Sequence, residues 1–166
     1  MKTARMKSGH VFGRRSPSGF VLLDAVIAIL IFSIGILGMV ALQGTAVKLA
    51  GDAKHRSDAA MLADQVIAQM WGDNLGVGST FATRYAGSGG SGGSNYTAWA
   101  ATLDCTSTTP STGCLPGAAA NPPTIAITQT TTPQGAPIFL ATITVNWEAP
   151  NDAGPHNYVS ITQISR

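Results

Sequence analysis

The stretch that decides the fold begins Gly19-Phe20-Val21-Leu22-Leu23-Asp24 and continues as an apolar run from Ala25 to Leu42. As an α-helix, the run from Phe20 to Leu42 is about 35 Å long, because each residue adds about 1.5 Å. The hydrocarbon core of a bilayer is about 30 Å thick. A helix that is apolar on every side must be buried. The sequence therefore predicts a helix that spans a membrane, enters a bundle of helices, or does both at different times.

Asp24 is the one charged residue between Phe20 and Leu42. A carboxylate at the centre of a membrane span costs about 2.5–3.5 kcal/mol. In the first two turns of a helix, however, the helix dipole favours an anion by about 0.3–1 kcal/mol, and the lipid headgroups are near. Two interpretations remain open. Asp24 is either an ordinary acid at the membrane edge or an acid kept for a specific cationic partner.

The charge distribution predicts which side of the membrane the chain occupies. Five basic residues and no acid precede Gly19, namely Lys2, Arg5, Lys7, Arg14 and Arg15. Five basic residues against eight acids follow it, a net charge of −3 within a total of +2. A basic flank stays in the cytoplasm, so we expect an inner-membrane span with the C-terminal part in the periplasm. That part has no basic cluster, which argues against nucleic acid as a partner.

Residues 1–19 are polar, basic and interrupted by Pro17, and we interpret them as a leader that is removed. An ordinary secretory signal has a shorter apolar region, about 7–15 residues, and a small-residue cleavage site after it. Here the run is longer and no such site follows. A cut before the run instead keeps residues 20–42 as a transmembrane or filament-core helix and residues 43–166 as a periplasmic domain.

No proline occurs between Pro17 and Pro110, so one helix is expected from Phe20 to Trp71, with Gly72 and the following Asp-Asn pair as its end. Its second half is amphipathic. The predicted core-facing stripe has spacings of three, four or seven residues and comprises Ala46, Leu49, Ala53, Ala60, Ala63, Ile67 and Met70.

Residues 72–100 are predicted to be a loop. Gly87 to Gly93 contains G-x-G-x-x-G, but a dinucleotide site needs a strand before this motif and a helix after it. Neither is evident from the sequence, so we interpret the segment as a flexible glycine–serine loop.

Three strands are predicted in the last third of the chain: Thr124–Thr130, Ile138–Trp147 and His156–Ile164. The second places Ile143, Val145 and Trp147 on one face. Short turn-forming segments separate the strands, which favours an antiparallel meander. The predicted fold is α+β, a long N-terminal helix packed on a small antiparallel sheet.

The two cysteines, Cys105 and Cys114, enclose a polar, threonine-rich segment on the exported side of the predicted span. Disulfides persist in that compartment, so a disulfide is expected, with a pair of free thiols as the alternative. Two cysteines without a nearby histidine do not complete a zinc site.

No enzyme is indicated by the remaining residues. His10, His55 and His156 are far apart in sequence, and no G-x-S-x-G elbow or paired carboxylates can be assigned. We therefore expect no catalytic residue, no metal and no cofactor.

The segment from Gly19 to Asp24 with its apolar helix resembles the class III signal of type IV pilins and type II secretion pseudopilins. The resemblance implies that a prepilin peptidase cuts between Gly19 and Phe20 and methylates the new N-terminal Phe20. It also implies that Asp24, the fifth mature residue, forms an assembly salt bridge. The family usually has Glu there, so Asp24 is shorter by one methylene.

Among these families the chain is most similar to PilV-type minor pilins, also called pilus modification proteins. The similarity lies in residues 19–42, in 59–74 and in the strand Ile143-Thr-Val-Asn-Trp147. It implies a subunit of a type IV pilus with roles in assembly and adhesion. The implied partners are prepilin peptidase, other major and minor pilins, and the inner membrane before assembly at the cell surface. The alternatives are a minor pseudopilin of a type II secretion system and a membrane-anchored periplasmic binding domain that never assembles.

Overall fold

The computed structural model describes residues 18–73, 80–150 and 152–165. Residues 1–17 of the expected leader lie outside the described residues, so its removal stays a prediction. The chain divides into two compact units, the first ending at Val47 and the second beginning at Lys48. The longest element is helix α1, Ser18–Gly72, with 55 residues. The prediction of one uninterrupted helix is confirmed, with bounds one or two residues wider.

The second half of α1 supplies one side of the core of the second unit. Its buried residues are Ala59, Leu62, Ala63, Val66 and Met70. The predicted stripe was partly wrong: Ala63 and Met70 are buried, but its first members, Ala46, Leu49 and Ala53, are exposed. Leu62 and Val66 have more apolar surface than alanine, so their burial decides which way the helix faces.

The segment after α1 is more ordered than predicted. It contains helix α2 (Thr80–Tyr85), the two-residue strands β1 (Gly87–Ser88) and β2 (Ser91–Gly92), and helix α3 (Ser94–Leu103). The prediction of a loop over residues 72–100 was therefore wrong for most of residues 80–100, while residues 74–79 lie outside the described residues. Three large side chains of α3, at spacings of three and four, are buried in the core: Tyr96, Trp99 and Leu103.

The glycine–serine run forms an antiparallel hairpin, in which Gly87 pairs with Gly92. A Cβ atom at Gly87 would lie 2.3 Å from the ring of Tyr96, so glycine is required for the hairpin to lie against α3. Helix α2 precedes the G-x-G-x-x-G motif and α3 follows it. The expectation that no helix follows the motif was wrong. A dinucleotide site also requires a strand before the motif, and a helix stands there instead, so the motif does not have the context of such a site.

Strands β3 (Thr124–Thr131), β4 (Pro137–Trp147) and β5 (His156–Ser165) form the meander that the sequence predicts. All neighbours are antiparallel, and the sheet order is β2-β1-β3-β4-β5. One face of β4 is buried, including Ile143, Val145 and Trp147. Together with α1, α2 and α3 this face forms the core, so the α+β fold is confirmed.

Candidate functional site

The first candidate surface is the apolar part of α1. Every side chain from residue 19 to residue 50 is exposed, including Phe20 at 70% and Leu42 at 72%. Burying apolar surface is the main favourable term in folding and association. The apolar side chains of this helix therefore need a covering partner that the described chain does not supply. The helix is long and apolar enough to cross a membrane.

One hydroxyl group lies within the apolar run, at Ser33, and another lies just after it, at Thr45; both are hydrogen-bonded within the helix. Ser33 Oγ donates a hydrogen bond to the carbonyl oxygen of Ile29 at 2.7 Å. Thr45 Oγ1 donates to the carbonyl oxygen of Ala41 at 3.0 Å. Since an unsatisfied polar group in hydrocarbon costs several kcal/mol, these bonds make the segment compatible with lipid or with a dry helical bundle.

Gly19 and Phe20, the residues of the expected cleavage site, lie in the first turn of α1. The first amide groups of a helix have no partner within it, so an enzyme can unwind this turn at low cost. A Cβ atom at Gly19 would meet nothing within 4 Å. The fold of the described chain therefore does not itself require glycine at this position.

Asp24 lies in the second turn of α1, with its side chain exposed among apolar neighbours. Within the described parts of the chain it has no ion-pair partner. On a helix, residues four apart are neighbours, so Asp24 and the backbone nitrogen of Phe20 lie on the same side. The structure brings the predicted cleavage and assembly residues onto one end of one helix.

The second predicted feature, the disulfide between Cys105 and Cys114, is present, with Cα atoms 5.1 Å apart. The loop is anchored at its end by Leu115, which is buried and donates its backbone N–H to the carbonyl of Leu103 at 2.9 Å. Gly113 lies against Asp58 and Met61 of α1. The loop is therefore held on the helix and presents polar side chains to solvent.

A third cluster, which the sequence reasoning missed, connects the β4–β5 turn to α1. The Asp152 side chain is only 4% exposed, and it lies 3.6 Å from Lys48 Nζ and 3.2 Å from His156 Nε2. Burial acts to raise the pKa of Asp152, but the N–H of Ala149 and the neighbouring His156 and Lys48 outweigh it, so the pKa is lowered. No sequence pattern indicates that Lys48 and Asp152 are neighbours. The one feature in the sequence that could have drawn attention to this cluster is the acidic residue Asp152 within the predicted turn between the last two strands.

An open groove of about 580 Å³ lies between α1 and α3. Its polar lining includes the amides of Gln65, Gln69 and Asn95. At one end, the Tyr85 hydroxyl hydrogen-bonds Asn95 and Asp73, and burial raises the pKa of Tyr85. In residues 18–73, 80–150 and 152–165, no group of three or more His, Cys, Asp or Glu side chains is placed to hold a metal ion.

Comparison of the chain with models of protein families, with curated proteins and with solved structures found no match. Without such a match, the structure defines the fold class of the protein and its general features. It is an α+β protein with one N-terminal helix long and apolar enough to cross a membrane, and its second unit contains a disulfide. The residues at the start of α1 provide the basis for a more specific proposal.

Proposed function

We propose that this protein is a PilV-type minor pilin, a structural subunit that contributes to type IV pilus assembly and modification and to adhesion. The observation that carries the proposal is the exposed apolar segment of α1 over residues 19–42, which starts with Gly19-Phe20 and contains one acid, Asp24. In the membrane, lipid covers this helix. In a filament, the apolar helices of neighbouring subunits cover it instead, so one surface serves both states.

The maturation reaction consists of two steps at the start of α1. Hydrolysis of the Gly19–Phe20 peptide bond consumes one water molecule and leaves a carboxylate on Gly19 and an ammonium group on Phe20. In the second step the Phe20 ammonium group loses one proton, and its nitrogen attacks the methyl group of an electrophilic methyl donor. The N–CH₃ bond forms as the bond between the methyl group and the donor breaks, and the demethylated donor leaves with that electron pair. The enzyme is prepilin peptidase; the subunit itself supplies substrate and no catalytic group.

Asp24 supplies the countercharge for this new amine. An unpaired charge in a low-dielectric helical bundle costs several kcal/mol, and a carboxylate at the same depth offsets that cost. The cationic partner is the Phe20 amine of a neighbouring subunit. Pairing between subunits also sets their axial register, because a shift of one helical turn, about 5.4 Å, separates the charges.

The cleavage step is tested with Gly19→Val. We expect the variant precursor to stay full length, whereas the unaltered chain has a mature N-terminus at Phe20, as measured by intact mass and N-terminal sequencing of protein from membranes. Gly44→Val is the matched control, since a Cβ atom at either glycine meets nothing within 4 Å. A mature N-terminus other than Phe20 in the unaltered protein contradicts the proposal.

Assembly is tested with Asp24→Ala and Asp24→Glu. Asp24→Ala should enter the membrane but be depleted from sheared filaments, while Asp24→Glu is retained because it keeps the charge. Asp64→Ala is the control, since Asp64 is an exposed acid of α1 outside the apolar segment. Equal recovery of Asp24→Ala and unaltered protein in filaments contradicts the pairing.

The two alternatives predict different outcomes of the same experiments. A minor pseudopilin of a type II secretion system shares the cleavage site, so it is processed at Phe20 but co-purifies with secretion components rather than surface pili. A membrane-anchored binding domain needs no cut before Phe20 and is absent from filaments with or without Asp24. Processing together with incorporation into pili separates the proposed function from both.

A further inference from the structure

Strand β5 is the outermost strand of the sheet, with β4 on one side and no strand on the other among the described residues. It is ten residues long, His156–Ser165. An edge strand presents unpaired backbone N–H and C=O groups, and proteins usually protect such edges with Lys, Pro, a bulge or a covering element. β5 contains no Lys, Pro or Gly, and its pairing with β4 is unbroken from Trp147↔His156 to Ile138↔Ser165.

The outer face of the sheet at this edge carries no charged side chain, and two apolar side chains are exposed at the middle of β5. Val159 is 49% exposed and Ile161 is 65% exposed, and they lie beside Thr144 and Thr142 of β4. Strands β3, β4 and β5 contain no Asp, Glu, Lys or Arg residue. An approaching strand of the same composition therefore meets no like charge. Charged side chains are one of the means by which proteins prevent edge pairing, and this edge lacks them.

We propose that β5 is a homodimer interface, in which the β5 strands of two copies pair antiparallel about a two-fold axis at Ser160. This inference is independent of the proposed function. In an isologous interface residue i meets residue j and j meets i. With Ser160 opposite itself, Val159 lies opposite Ile161 of the second copy, and Asn157 lies opposite Gln163.

The register with Ser160 on the axis pairs apolar side chains with apolar side chains, and amides with amides, on the outer face. A shift that places Ile161 on the axis sets Val159 opposite Gln163, and a shift that places Val159 there sets Ile161 opposite Asn157. In each shifted register an apolar side chain faces an amide. With the axis at Ser160, both apolar pairs and both amide pairs form, and the sheets of the two copies join into one.

The joined sheet has a continuous row of β-branched side chains across the axis. Thr142 neighbours Ile161, and Thr144 neighbours Val159, in the β4–β5 register. Pairing Ile161 with Val159 of the second copy therefore makes a row Thr–Ile–Val–Thr, which occurs twice by symmetry. Cross-strand pairs of this type stabilise antiparallel sheets, so a second copy of this chain fits the edge.

The first test is the oligomeric state of the full chain in detergent micelles, measured by sedimentation velocity over a concentration series. We expect a concentration-dependent dimer. Ile161→Lys should raise its dissociation constant about tenfold or more, because each ammonium group replaces the contact with Val159 of the second copy and symmetry places the two ammonium groups diagonally across the axis. Thr128→Lys is the matched control, an exposed residue of β3, which is separated from β5 by β4. It should dimerise like the unaltered chain.

The second test examines the register. Val159→Glu alone and Ile161→Lys alone should both be monomeric, yet a mixture of the two should form a heterodimer, because position 159 of one copy faces position 161 of the other. Far-UV circular dichroism verifies that each variant is folded. A monomer at every concentration, a dimer unaffected by Ile161→Lys, or a mixture that stays monomeric would each overturn the proposal.

Discussion

Removing the disulfide should destabilise the second unit by a predictable amount. The bond joins residues nine positions apart, so it closes a loop of about ten residues. In the chain-entropy treatment, closing such a loop in the unfolded chain corresponds to about 2.7 kcal/mol at 25 °C. We therefore expect Cys105→Ser with Cys114→Ser to lower the free energy of unfolding by about 2–3 kcal/mol.

The structure indicates why the effect should arise mainly in the unfolded state. The loop keeps other bonds when the sulfurs are removed: the N–H of Ser111 donates to Thr102, and the N–H of Leu115 donates to Leu103, both at 2.9 Å. Cys105 is exposed and Cys114 half-buried, so neither serine buries a hydroxyl deeply. The folded loop should stay in place.

The assay is equilibrium denaturant unfolding of the full chain in micelles, followed by the fluorescence of Trp99 and Trp147, which are buried in this unit. Thr108→Ala is the control, since it changes an exposed residue of the same loop and should alter stability by less than about 0.5 kcal/mol. The reasoning is refuted if the double serine variant loses less than about 1 kcal/mol.

Three further predictions concern the second unit and use the same unfolding assay. Tyr96→Phe should cost about 1–3 kcal/mol, because the buried Tyr96 hydroxyl donates to the carbonyl of Pro123 at 2.7 Å, and that carbonyl would lose its partner; no measurable loss would contradict this. Gly117→Ala should cost about 1–3 kcal/mol, since Gly117 has φ of 70° and a Cβ atom there would lie 2.8 Å from the backbone oxygen of Glu148; an equally stable variant would exclude this strain. Asp152→Asn should destabilise the protein near pH 7. Because folding lowers the pKa of Asp152, its stabilising effect is present above the ordinary Asp pKa of about 3.9 and is lost as pH falls through the lower folded value. The difference between variant and unaltered protein should therefore shrink in acid, and a difference independent of pH would exclude the charge as its cause.

Local patterns were sufficient for the elements whose period is regular. The apolar run after Phe20 with no proline before Pro110 predicted α1, and the alternation at Ile143, Val145 and Trp147 predicted the buried face of β4. The disulfide was also predictable, because both cysteines follow the apolar run, on the side of the expected span where disulfides persist. For α1 and β4 the signal lies within neighbouring residues.

Patterns failed where a short segment depends on distant residues. The stretch around α3 was predicted as a loop because glycine and serine dominate its start, yet Tyr96 and Trp99 are buried in the core. The Tyr96 hydroxyl bonds Pro123, and Trp99 Nε1 donates to the carbonyl of Leu62 at 2.9 Å. Burial of two aromatic side chains outweighs weak local helix propensity.

The candidate sites also divide into those that the local sequence predicted and those that depend on contacts between distant residues. The sequence by itself was sufficient to place Gly19, Phe20 and Asp24 together at the start of α1, since they are close in sequence and the helix is exposed from residue 19 to residue 50. Only the tertiary structure decided that Asp152 meets Lys48 and that β5 is the edge of the sheet. Contacts between residues a hundred positions apart depend on strand order and helix packing, and these follow from burying one shared core rather than from any local period.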